Sequence, residues 1–327
     1  MADLVETMAS FGKTWHGKEN LLGAPQKWED MLRLSGLDWE VKIQPVYAHI
    51  AGVGEVKCPD SHAVVRMSDH KPLGVVGNKY RVIQNAEAGQ FLDELPLIGE
   101  MEYHTAGSLR GGKTIFVLGK LTTQDFEPIP GDLTNNYVLA TNCHDGTGSF
   151  RVLVTSVRVV CNNTLNLALT AAGKTGLAIR HIGNPRARLE EAQRVLGFAT
   201  EEVKRYRELC LFLTKQTFSQ KDMEKFVADL IPEKVDANGN LVVSGKARTQ
   251  RDKILELAES GAGTSIPGVR GTRYGMLQAV TEYTSHYLTV RGGGSDTETR
   301  SGLRQAGAWF GAGDKMNQQA QKMLASV

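Results

Sequence analysis

From Trp39 to Ile182 the chain alternates short β-branched or aromatic runs with Gly, Pro, Asn and Asp turns, and this punctuation commits it to a hairpin-rich sheet. The runs are 39–50, 63–67, 73–76, 80–83, 101–105, 114–121, 137–141, 150–160 and 177–182. Strands joined by turns this short pair antiparallel, since a parallel pair needs a long crossover. Helical spacing precedes them once and interrupts them twice. Trp28, Met31 and Leu32 mark Gln26–Leu34. Asn85 caps a helix that Pro96 ends, and Asn163–Ala172 stops at Gly173. Gly183-Asn184-Pro185 is a boundary, and beyond it a long amphipathic helix is predicted over Arg186–Gln216. The expected architecture is α+β. An irregular N-terminal arm (1–24) precedes a core (25–185) built on a mainly antiparallel, hairpin-rich sheet with packed helices. A helical C-terminal region with glycine-rich links (186–327) follows.

Charge is distributed unevenly along this frame. The whole chain is nearly balanced, 38 basic against 36 acidic residues, yet Gly146 to Arg188 contains no Asp or Glu. The same stretch carries Arg151, Arg158, Lys174, Arg180, Arg186 and Arg188. A basic, acid-free segment suits a phosphate backbone, whose condensed counterions are released on binding. Burial of Phe150–Val160 in a sheet would also explain the missing acids. No apolar run approaches the roughly 20 residues that span a bilayer. The N-terminus lacks a basic signal-peptide region, and the four cysteines show no C-x-x-C pairing. The expectation is a cytoplasmic protein with reduced thiols and no membrane contact.

Gly107-Ser-Leu-Arg-Gly-Gly-Lys-Thr114 satisfies the P-loop formula letter for letter. A P-loop needs a helix directly after it, whereas Ile115-Phe-Val-Leu-Gly-Lys-Leu121 is β-rich. The segment therefore reads as a hairpin whose tip offers Arg110 and Lys113. Cys143-His144-Asp145 suggests a nucleophile or a metal site, but neighbours in extended chain point opposite ways. His144-Asp145-Gly146 is better read as a tight turn. Arg158–Leu165 reads as a strand entering a helix, with Cys161 a buried thiol. Arg270–Tyr287 sets arginines beside Tyr283 and Tyr287 at helical spacing, a combination that can stack on bases or fill a core. No catalytic set, metal-ligand spacing or cofactor motif emerges.

Several separated segments resemble one family. They are Trp15-His16-Gly17, Val76–Ala86, Phe91-Leu-Asp93, Gly111-Gly112-Lys113, Asn142–Thr147 and Val157–Leu165. The chain resembles the phage/plasmid-like proteins of unknown function, which implies a mobile-element origin without supplying an activity. In layout it is also similar to the single-strand annealing superfamily, whose members form rings that hold single-stranded DNA in a basic groove without ATP.

Two functions are weighed on these grounds. The first is ATP-independent binding and annealing of single-stranded DNA by a homo-oligomer, a ring in the annealing superfamily. Arg110, Lys113, Lys120, Arg151, Arg158, Lys174 and Arg180 would track the phosphates. The alternative is a protein-binding anti-defence or anti-restriction factor of a mobile element, which near-neutral charge suits equally well. A nucleotide hydrolase on Gly107–Thr114 ranks below both. Arg151 and Arg158 differ in parity, so an unbroken strand would hold them on opposite faces.

Overall fold

The computed structural model describes residues 5–10, 27–93, 101–158, 163–167, 177–184, 199–235, 241–242, 245–290, 300, 304, 307–308 and 311–326. Its order is β1 (Val5–Ser10), α1 (Trp28–Leu34), β2 (Val41–Ile50), β3 (Gly54–Arg66), β4 (Lys71–Val76) and α2 (Asn85–Asp93). Next come β5 (Met101–Leu109), β6 (Thr114–Leu121), β7 (Thr134–Cys143), β8 (Phe150–Arg158), β9 (Asn163–Leu167) and β10 (Leu177–Ile179). Helices α3 (Ala199–Thr214) and α4 (Gln220–Leu230) follow. A two-stranded ribbon, β11 (Lys234–Val235) with β12 (Leu241–Val242), precedes α5 (Gly245–Ser260), α6 (Arg273–Glu282) and α7 (Ala312–Ala325). The fold is α+β, as the punctuation predicts.

The main sheet runs β1-β5-β6-β7-β8-β10, with β9 also on β8, and every pairing is antiparallel. A second antiparallel sheet has the order β2-β3-β4. On the main sheet, alternation sorts side chains strictly by face. Ile115, Val117, Val138, Ala140, Val152 and Val154 point into the large core, while Phe116, Leu118, Tyr137, Leu139 and Leu153 form a smaller cluster on the other side.

The C-terminal helices share that large core. Val203, Tyr206 and Leu213 of α3, Ile254 and Leu257 of α5, Tyr274 and Leu277 of α6 and Leu324 of α7 belong to the same buried cluster as the sheet residues. Tyr206 meets Phe126 edge-on at 5.9 Å, and the Tyr274 hydroxyl donates to buried Asp132 at 3.0 Å. Each fully buried Leu or Ile contributes about 1.5–3 kcal/mol, so helices and sheet stabilise one another. On the N-terminal side α1 packs on α2. Trp28 Nε1 donates to the Asn85 carbonyl, and the Trp28 indole lies so close to Gly89 that a Cβ there would fall 2.0 Å from it.

Four expectations are corrected. Residues 1–24 are not wholly irregular, since Val5–Ser10 is an edge strand on β5. Asn163–Leu167 is a strand and not a helix, because part of β8's outer edge is open to it and ladder pairing outweighs a weak local helix preference. Residues 168–172 of that predicted helix lie outside the described residues. Tyr80–Ile83 forms a single bridge, Tyr80 to Ile182, and no strand. Asn85 does not act as a cap through its side chain, which instead donates to the carbonyls of Leu37 and Trp39. The long helix is described only from Ala199, and its predicted start at 186–198 lies outside the described residues. Among the described residues no helix is long and apolar enough to cross a membrane.

Candidate functional site

Three chain segments meet at the end of the main sheet where the β5–β6 and β7–β8 turns lie. The β5–β6 turn is a hairpin tip, with Leu109 opposite Thr114 and positive φ at Arg110, Gly111 and Gly112. Two consecutive glycines supply most of this left-handed backbone without a Cβ clash. The P-loop formula therefore sits on a strand–turn–strand, as its β-rich sequel predicts. At the β7–β8 turn, the Asp145 carboxylate accepts from the Thr147 amide at 2.9 Å and its hydroxyl at 2.6 Å, with Gly146 at positive φ. Gly74 of β4 lets this turn approach, since a Cβ there would lie 2.6 Å from the Asp145 backbone.

Tyr80 ties the third segment in. Its ring stacks on His181 at 4.8 Å, and its hydroxyl donates to the Cys143 carbonyl at 3.1 Å. The Arg81 amide donates to the His181 carbonyl at 2.8 Å. Between these walls opens a cleft of about 490 Å³, floored by Tyr80 and His181 and rimmed by Lys79, Arg180 and the Gly146–Ser149 turn. Lys79 and Arg180 are exposed, and neither has an ion-pair partner among the described residues. The lining residues include both cations, the hydroxyls of Thr147 and Ser149, and the partly exposed apolar side chains of Val75 and Ile182, but no carboxylate. A cleft of this composition attracts an anion carried on an apolar body.

Behind the cleft lies a buried polar layer. His144 Nε2 meets the Asn85 side-chain oxygen at 2.8 Å. Because the Asn85 amide nitrogen already donates elsewhere, that oxygen must accept and His144 Nε2 must carry the proton. His181 Nδ1 lies 3.0 Å from the Arg81 carbonyl and so donates to it. Asn142 donates to the Ile83 carbonyl at 2.8 Å. These bonds leave His144 Nδ1, His181 Nε2 and Asn142 Oδ1 as buried acceptors with no donor among the described residues. Burial pushes the His144 pKa down to about 3, with His181 adding to the shift, and burial likewise lowers His181. Both rings are neutral. The Cys143 thiol contacts Thr114 at 3.5 Å and is pushed up by burial, whereas the His144 ring turns to Asn85. The two side chains do not form a nucleophile–base pair.

The described members of the seven cations expected to track phosphates are divided between the two ends of the main sheet. Arg110, Lys113, Arg151 and Arg180 come to the cleft end of the sheet. Arg110 is ion-paired with Asp145 at 3.6 Å and bonded to Thr114 at 2.6 Å, which leaves it less available than Lys113. Lys120 is near the opposite end, 3.0 Å from the Asp125 carboxylate. Arg158 also lies at that end, seven positions and about 23 Å along β8 from Arg151 at roughly 3.3 Å per residue. The β7–β8 register runs unbroken from Thr134↔Arg158 to Thr141↔Arg151, so no bulge restores a common face. Lys174 and Cys161 lie outside the described residues. Tyr283 is buried and Arg273 donates to the Leu324 carbonyl, whereas Tyr287 is exposed with the Lys253 ammonium 4.4 Å from its ring, so the two tyrosines of Arg270–Tyr287 do not present one shared stacking surface. Sequence reasoning missed Lys79, whose only signal was its place in a turn after a strand.

A family profile described as Domain of unknown function (DUF932) matches residues 72–306, and the chain belongs to that family. The match runs from β4 into the C-terminal region, across the boundary expected at residue 185. No curated protein and no solved structure matches the chain.

Proposed function

We propose that this DUF932 member is an ATP-independent, homo-oligomeric single-stranded DNA-binding and annealing protein of a mobile element. The strand crosses the cleft end of the main sheet. One observation carries the reading: among the described residues, Lys79 and Arg180 have no ion-pair partner and the cleft they wall has no acidic lining. Lys113 and Arg151 extend the basic surface beside it. A phosphate held between Lys79 and Arg180 leaves its base room against Val75 and Ile182, both more than a third exposed. Contacts to phosphate and sugar give affinity without sequence preference, which is what annealing of arbitrary complements requires.

The test is anisotropy of a labelled single-stranded oligonucleotide titrated with salt, paired with a strand-annealing assay without nucleotide. Binding that weakens steeply with salt and accelerates annealing supports the reading. No binding at low salt would sink it and direct the search to protein partners.

A further inference from the structure

The cleft at the end of the main sheet gathers two positive charges into a small space. Its volume of about 490 Å³ falls among pockets that enclose one small ligand. Lys79 and Arg180 line it together, both exposed and, among the described residues, without an ion-pair partner. The floor adds no charge to theirs. Burial keeps His181 neutral, with its Nδ1 bonded to the Arg81 carbonyl, and the Tyr80 hydroxyl is committed to the Cys143 carbonyl.

The two hydroxyls of the rim differ in what they can give. Thr147 donates its proton to the Asp145 carboxylate at 2.6 Å and has none left for a ligand. Ser149 makes no hydrogen bond among the described residues, so its proton is available. The side chains of the cleft therefore present three free donor groups, Lys79, Arg180 and Ser149, and two full positive charges. A phosphodiester inside a strand brings a single negative charge and two unbridged oxygens. A phosphomonoester brings about −1.5 to −2 charges at neutral pH and three strong acceptor oxygens. The second matches the cleft in both charge and donor number.

We propose that the cleft seats the terminal phosphomonoester of a single strand, so that the protein binds phosphorylated strand ends in preference to strand interiors. The proposal rests on the DNA-binding reading of this cleft and adds where along the strand the cleft engages. Val75 and Ile182, 62% and 38% exposed, give the terminal sugar and base an apolar wall. The same chemistry is carried by a 5′ phosphate, a 3′ phosphate and a free mononucleotide, and the experiment separates these sources.

An internally labelled oligonucleotide of one sequence is prepared with a 5′ phosphate, with a 3′ phosphate and with hydroxyls at both ends. Anisotropy then compares the wild-type chain with Lys79→Ala plus Arg180→Ala. One phosphorylated form should bind about tenfold tighter than the hydroxyl form, the worth of one further charge-assisted hydrogen bond. The double substitution should abolish that difference. Equal affinity for all three forms overturns the proposal and leaves DNA binding standing, whereas no binding of any form overturns both. A preference that survives the double substitution places end recognition outside the cleft and overturns it too. So does a free mononucleotide that competes at the oligonucleotide's own concentration, which would assign the cleft to nucleotides. If the double variant misfolds by circular dichroism, Lys79→Gln with Arg180→Gln replaces it.

Discussion

His144 donates from Nε2 to the side-chain oxygen of Asn85 at 2.8 Å, joining the β7–β8 turn to the first residue of α2 in a fully buried contact. This bond needs only the neutral ring, and the neutral ring is what burial enforces.

Acid should therefore destabilise the fold earlier than carboxylate titration would. Burial holds His144 near 3 and His104 near 4, both below the ordinary 6.5. Between pH 6.5 and 4 the unfolded chain binds more protons than the folded one, so stability falls as pH falls. It returns above 6.5, and the loss is about 1.4 kcal/mol per pH unit for each such histidine. Thermal melts at constant ionic strength should show the midpoint dropping steadily from pH 6.5 to 4.5. A flat midpoint over that range would contradict the burial of these rings.

Removing both cleft cations should weaken single-stranded DNA binding uniformly across sequences. Each lost phosphate contact reduces the salt slope by about 0.7 for a single strand, so Lys79→Ala with Arg180→Ala should flatten it by about 1.4. Anisotropy at several salt concentrations reads this directly. An unchanged slope would place the strand elsewhere.

Lys120→Ala should leave binding within about twofold, because its ammonium is held by Asp125 at the far end of the sheet. Loss of that partly exposed ion pair costs about 1 kcal/mol of stability. A tenfold loss of affinity would extend the strand's path to the far end of the sheet.

Gly89→Ala should destabilise by about 1–3 kcal/mol, the range for overpacking. The added Cβ would meet the rigid indole of Trp28 at 2.0 Å, so α1 and α2 must separate. Urea unfolding should show a lower midpoint with an unchanged slope. A wild-type midpoint would mean the two helices are not in this contact.

The hairpins were legible because turn residues act locally: Gly111-Gly112 and Asp145-Gly146 dictate their backbone whatever surrounds them. The failure of the P-loop was legible for the same reason, in the β-branched run after Lys113. The strand at Asn163–Leu167 was not, since its conformation comes from an open edge that β8 offers in space. The cleft was half legible. Arg180 stood in an acid-free segment, but Lys79 joins it only because Tyr80 stacks on His181, a contact invisible to spacing. The parity of Arg151 and Arg158 was in the sequence all along, and the unbroken β7–β8 ladder holds the two on opposite faces as that parity requires.

The outer edge of β8 is taken up almost end to end. β10 pairs with Phe150–Val152 and β9 with Val154–Arg158, leaving Leu153 alone between them. Runaway edge-to-edge growth needs a long unpaired strand that recruits an identical neighbour. Two short strands laid in line deny β8 that opportunity. On this side the protein is protected against fibrillar aggregation by its own chain, and a mutation that frees β9 would be felt first as insolubility.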